Sequence, residues 1–183
     1  MRVIGVDGGH SVYEIGTVSD VVLFFECLDY FVVKKNPERD WSLLTDRLYR
    51  RYLKLEELSS AIMIMNEVKE IFAKVPSFEV DWKQELIGDK SKTWLDPSHV
   101  NLADVFVNFF ENFKKAKDSS ISFFDAFKMY QPVKIVPTDL AGIATEKARP
   151  LLEYDALEGK PFWLRLVVFD PVMHREFLQL QIH

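Results

Sequence analysis

The sequence predicts an α+β fold, in which an N-terminal β-hairpin and several aromatic-rich helices pack on a small mixed or antiparallel sheet. Three observations lead there. Two short alternating stretches, "RVIGVD" and "HSVYEIG", flank the pair Gly8-Gly9, and a glycine pair between alternating runs signals a hairpin. Apolar residues then recur at helical spacing through the middle of the chain. Phe supplies 15 of the 183 residues, so the core built by those stripes consists largely of rings.

A two-residue turn at Gly8-Gly9 sets Ile4 opposite Tyr13 and Val6 opposite Ser11, which puts Ile4, Val6, Tyr13 and Ile15 on one face. Ser19 is placed to cap the first helix, whose positions Val22, Phe25, Leu28 (or Asp29) and Val32 share a stripe, and Pro37 ends it. A second helix covers "SLLTDRLYRRYLK", with Leu44, Leu48 and Tyr52 in line. The strongest helical pattern is "LEELSSAIMIMNEVKEIFAKV". There Leu55, Leu58, Ile62, Met65 and Phe72 form one row and Ile64, Val68, Ile71 and Val75 another. A stripe that wide is core, and Met63 and Met65 read as packing rather than as a cofactor groove.

Pro76 stops that helix, and "SFEVDW" alternates Phe78, Val80 and Trp82 as a half-buried strand does. Residues 84–98 are polar, hold Gly88, Trp94 and Pro97, and read as a loop. Two Phe-rich helices follow. The first aligns Leu102, Phe106, Phe109 and Phe113; the second aligns Phe123, Phe127 and Tyr130 after a break at Ser119-Ser120. "VKIV", bounded by Pro137, is a short strand, and "FWLRLVVF" is a β-rich run. "TDLAGIATEKARP" and the tail after Asp170 leave helix and strand both open. With no repeat, linker or low-complexity stretch, one domain over residues 1–183 is the simplest account, its part 138–183 being the least defined by pattern.

A domain of this length buries roughly 70% of the surface its unfolded chain exposes, so it needs no covalent staple. Cys27 is the sole cysteine, which excludes an intramolecular disulfide, and its apolar setting predicts a buried, inert thiol. The apolar start is broken by Asp7, His10 and Glu14, unlike a signal peptide, so a cytoplasmic protein is expected. The nearest approach to a membrane span, "DVVLFFECLDYFVV", carries Glu26 and Asp29 and falls short of the roughly 18 apolar residues a span needs. Net charge is −5. Residues 34–54 hold seven basic side chains against three acidic ones, so the rest of the chain carries −9. Such a body repels nucleic acid and attracts a basic protein.

No catalytic residue is singled out, and neither a metal nor a cofactor is expected. "VIGVDGG" resembles the first phosphate loop of the sugar-kinase and actin fold, where glycines let backbone approach phosphate. His10 and Ser11 stand where that loop has Gly and Thr, and seven glycines in all leave no comparable second phosphate loop, so a hairpin turn is the preferred reading. His10, His99, His174 and His183 show no ligand spacing for zinc. The carboxylates of Glu56-Glu57, or of Asp139 with Glu146, have nothing that separates them from solvated helix faces. "DRLYRRYLK" interleaves Arg47, Arg50 and Arg51 with Tyr49 and Tyr52 in a pattern suited to RNA, although Tyr52 falls on the apolar stripe.

Four stretches, "EIGTVSD" (14–20), "LLTDRLYRRYLKLEEL" (43–58), "EVKEIFAKVPSFEVDW" (67–82) and "YQPVKIV" (130–136), together resemble a family of bacterial immunity proteins. The genes of that family lie beside the toxins of contact-dependent growth inhibition and related polymorphic toxin systems. The likeness covers most of residues 14–136 and rests on fold-bearing residues; the segment from 138 onward has no place in it. It implies an inert inhibitor that binds the C-terminal domain of its cognate toxin, expected to be a basic nuclease. The expected contact surface is the loop holding Trp94, with Asp89, Asp96 and Glu85 around it, because an aromatic anchor among carboxylates suits an interface hot spot. Two other classes stay open: a small nucleotide-binding or phosphotransfer enzyme using "GVDGG", revealed by a thermal shift with magnesium and ATP, and an RNA-contacting accessory module using the basic helix, revealed by salt-sensitive RNA binding.

Overall fold

The computed structural model describes residues 3–80, 100–129 and 131–138. Its sheet is antiparallel throughout, with the order β2-β1-β3 built from β1 (Val3–Asp7), β2 (Val12–Thr17) and β3 (Lys134–Pro137). The α+β expectation holds. Ile4 and Val6 of the central strand are fully buried, and β3 is buried along its whole length.

The hairpin forms, but its turn sits one residue later than the glycine pair suggests. Asp7 pairs with Val12 and Val6 with Tyr13, while Gly8 N–H donates to the Ser11 carbonyl at 3.0 Å. Gly9 and His10 are thus the central residues. Gly9 has φ +89°, the positive value that the first central position of a primed hairpin turn requires. Gly8 is spent elsewhere: a Cβ there would lie 2.3 Å from the Ala116 carbonyl oxygen, so only glycine lets the strand end meet a helix backbone. Moving the turn centre by one residue moves each pairing by two, so Ile4, Val6, Tyr13 and Ile15 still face the core. Beyond Gly5 a bulge intervenes, and Ile4 pairs with Gly16 rather than Tyr13.

That bulge leads into helix α1 (Val18–Leu28). Gly16, at φ +133°, lets Asp20 fold back, because a Cβ on it would lie 2.8 Å from the Asp20 carboxylate. The cap is Thr17 and not Ser19. Asp20 N–H donates to the Thr17 hydroxyl, and Asp20 accepts from Thr17 N–H at 2.7 Å, a reciprocal capping box. The helix continues as a π-helical turn, Asp29–Val33, in which Asp29 and Tyr30 face out while Phe31 and Val32 return to the core. The Nδ2 of Asn36 donates to the Val32 carbonyl, and Trp41 Nε1 donates to the Asn36 carbonyl, tying off the end before and after Pro37.

The second helix contains a π-helical segment, Leu43–Leu48, which buries Leu44 and Leu48 completely. Tyr52 lies beyond it and is half-buried, while Leu53 leaves to exchange two backbone hydrogen bonds with Val133 beside the sheet. A 3₁₀ turn, Leu55–Glu57, leads into α2 (Leu58–Phe72), in which Leu58, Met65 and Phe72 of one expected row and Ile64 and Val68 of the other are buried, Ile62 and Ile71 are half-buried, and Ala61 joins the core unexpectedly. Met63 departs from expectation. It is 70% exposed on the opposite face.

"SFEVDW" does not begin as a strand. Ser77–Glu79 forms a 3₁₀ turn: the antiparallel bridge between Pro76 and Asn101 stops there, because Glu79 N–H and Val80 N–H bond locally to the Pro76 and Ser77 carbonyls. The next break also differs. Asn101 and Asp104 form a capping box for α3 (Leu102–Val105), the chain bends at Phe106, and α4 (Val107–Phe127) runs unbroken through Ser119-Ser120. Ser120 is tolerated inside a helix because its buried hydroxyl donates to the Gln131 carbonyl at 2.8 Å. Phe127, expected in the core, is 54% exposed.

Phe24 of α1 is at the centre of the core. Its ring stacks on Phe109 at 3.8 Å and meets Phe72, Phe106 and Phe110 edge-on, which joins α1, α2 and α4 through one aromatic cluster. No helix among the described residues is long and apolar enough to cross a membrane.

Candidate functional site

A cleft of about 720 Å³ opens between the first two helical regions, and both π-helical segments border it. The solvated stripe of α1 and its π turn contributes Glu26, Asp29 and Tyr30. Thr45, Tyr49 and Arg50 of the second helical region line it too, as do Glu79 and Val80. Phe25 and Cys27 supply buried, apolar lining.

Charge in this cleft is unevenly matched. Lys34 is held by Asp29 at 2.7 Å, and Arg50 lies 3.9 Å from Asp46. Glu26 and Glu79 make no ion pair with another described residue, and both are exposed. The surplus is negative. Tyr30, 59% exposed, lines the same cleft, so an aromatic surface and unmatched negative charge share one concavity. Burial pushes the Cys27 thiol up to about 12, and the Glu26 carboxylate adds to that shift. Burial likewise raises the Tyr49 phenol, with Arg50 opposing the shift and Glu26 reinforcing it. Cys27 is therefore a protonated thiol in the neutral range, as its apolar setting predicts.

The "GVDGG" loop is packed rather than open. Asp7 Oδ1 accepts from Gly9 N–H at 2.7 Å, and Oδ2 lies 3.4 Å from the Nζ of Lys134, itself 4% exposed. With Gly8 pressed on Ala116, the turn's glycines and its carboxylate are all engaged within the fold. His10 packs edge-on against Phe123 and Phe127 at 4.5 and 5.5 Å. Among the described residues no group of three or more His, Cys, Asp or Glu is arranged to hold a metal ion.

The basic helix is likewise tied down by internal contacts. Arg47 lies 3.2 Å from Glu57 and 5.7 Å over the Tyr52 ring, and Arg51 lies 3.9 Å from Asp46. Tyr49 packs against Phe25 at 4.4 Å. The tyrosines that an RNA-stacking stripe would present are thus half-buried against the protein itself.

Trp94, Asp89, Asp96 and Glu85, the contact residues expected from sequence, lie outside the described residues. Sequence reasoning passed over Glu26, Tyr30 and Glu79. A signal for the first two was present: in "DVVLFFECLDYFVV" the polar interruptions Glu26, Asp29 and Tyr30 fall at i, i+3 and i+4, the spacing of one helix face. Glu79 carried none, because its place at the cleft depends on the 3₁₀ turn. Comparison with protein-family models, with curated proteins and with solved structures finds no match to this chain.

Proposed function

We propose that this chain is an immunity protein that neutralises a cognate bacterial toxin, expected to be a basic nuclease, by stoichiometric binding and without chemistry of its own. The observation that carries the reading is the cleft, lined by Glu26 and Glu79, which form no ion pair with another described residue, and by an exposed tyrosine, Tyr30. An inhibitor of a phosphate-binding enzyme meets a cationic surface, and close charge pairs across such interfaces couple by about 1.5–7 kcal/mol. Protection from a lethal enzyme calls for tight binding, and nuclease–immunity pairs reach dissociation constants of about 10⁻¹³ to 10⁻¹⁶ M.

The four stretches that carry the family likeness support the reading through their structural work. "EIGTVSD" forms the bulge and capping box. "LLTDRLYRRYLKLEEL" spans the second π-helical segment and reaches the first residue of α2, the described part of "EVKEIFAKVPSFEVDW" holds the end of α2 and the 3₁₀ turn after it, and that of "YQPVKIV" holds most of the third strand. These are residues that hold a shape rather than perform a reaction. The test is co-expression with the product of the neighbouring upstream gene. Rescue of the cells and recovery of an equimolar complex is the expected result; unrelieved toxicity with the chain folded and abundant refutes the proposal.

A further inference from the structure

We propose that the cleft between the two π-helical segments seats an arginine side chain of the partner protein, with Tyr30 as its stacking surface and Glu26 and Glu79 as its counter-ions. This rests on the reading above and adds the chemistry of recognition. The chain's own arginines supply the template. Arg47 lies 5.7 Å over Tyr52 and 3.2 Å from Glu57, and Arg39 lies 5.9 Å over Trp41 and 3.2 Å from Glu67. In both places one guanidinium joins an aromatic face to a glutamate. The cleft is lined by the same two kinds of group, a tyrosine and glutamates, while the one arginine in its lining lies 3.9 Å from Asp46.

Arginine suits this arrangement better than lysine. Its flat guanidinium stacks on a ring and still offers a fork of N–H donors to carboxylates, whereas an ammonium is a compact, strongly hydrated point charge. Among the described residues neither Glu26 nor Glu79 forms an ion pair, while the lining's Lys34 is held at 2.7 Å by Asp29. The cleft's volume of about 720 Å³ exceeds one side chain, which leaves room for the flanking residues of a partner loop that carries the arginine. The surrounding backbone fits a binding role as well: π-helical turns are rare and recur at functional sites, and two of them border this cleft.

The test uses the full chain and three capped tripeptides, tri-arginine, tri-lysine and tri-citrulline, titrated while backbone amide resonances are followed. Tri-arginine is expected to shift the amides of residues 26–34 and 45–50. Its affinity should fall about tenfold or more in the Glu26→Gln, Glu79→Gln double variant, and also in Tyr30→Ala. These positions are exposed, and thermal melting of each variant checks that the fold is intact. Tri-citrulline, equal in shape but uncharged, is expected not to bind. Equal binding of tri-lysine, binding of tri-citrulline, no binding of tri-arginine, or indifference to the glutamate substitutions overturns the proposal. The double variant titrated against the toxin separates the two readings. A toxin bound as tightly by the variant as by the wild type leaves the immunity function standing and the arginine seat refuted. Tri-arginine binding without protection from toxin does the reverse.

Discussion

Gly8 and Cys27 show how single residues are fixed by what touches them. Gly8 has no special φ; it is required because the Ala116 backbone occupies the space of its Cβ. Backbone cannot rotate aside as a side chain can, so Gly8→Ala should cost about 3 kcal/mol, the upper part of the overpacking range, measured by urea unfolding. A loss below experimental error would mean that β1 and α4 are not in such contact. Cys27 acts through protonation. Its thiol, at 9.0 in an ordinary setting, is pushed to about 12 by burial and by Glu26. Between those values the unfolded chain has released a proton that the folded chain still holds, so stability falls as pH rises from about 9 upward. Unfolding curves at about pH 8 and about pH 10.5 should show a smaller alkaline loss for Cys27→Ala than for the wild type. Equal losses would place the thiol in contact with water.

The elements show what a one-dimensional pattern reveals and what it hides. The faces of β1 and β2 were legible, because strand period is two and a turn displaced by one residue leaves Ile4, Val6, Tyr13 and Ile15 on the same side. The stripes of α2 and α4 were legible for the same kind of reason, with Phe72 and Phe113 fully buried, and that of α1 in part: Phe25, Leu28 and Val32 are buried as expected, but Val22 is half-buried and Phe24, outside the expected stripe, takes the centre of the core. Boundaries were harder. Ser19 looked like a cap, yet Thr17 has Asp20 three residues on and Gly16 behind it, and that trio closes the capping box. Ser119-Ser120 looked like a break, yet a distant carbonyl, that of Gln131, satisfies Ser120. Contacts of this kind come from tertiary structure and leave no local trace. Thr17→Ala should therefore destabilise the fold by about 0.5–2 kcal/mol, whereas Ser19→Ala should change the denaturation midpoint little. The reverse order would reinstate Ser19 as the cap.

At the scale of the whole molecule, the candidate site was less legible than the fold. Trp94 with Asp89 and Asp96 is conspicuous because those residues are neighbours in sequence. The cleft is assembled from three separate stretches, the outer stripe of α1, the second helical region and the 3₁₀ turn at Glu79. Only folding brings them together. A net charge of −5 predicts attraction to a basic partner, but the useful quantity is local: which carboxylates remain unmatched after Asp29 has paired with Lys34 and Asp46 with Arg50. Because those carboxylates are exposed, their effect is screened over about 8–10 Å at ordinary ionic strength. Association with the proposed toxin partner should accordingly slow as salt is added, and slow less for the Glu26→Gln, Glu79→Gln variant.

A titration of the purified toxin's activity with this chain tests the central claim most directly. The account predicts a linear fall that reaches zero at one chain per toxin, with the toxin recovered intact in the complex. Inactivation at a small fraction of that ratio, as a catalyst would give, or full toxin activity in the presence of excess chain, would contradict it.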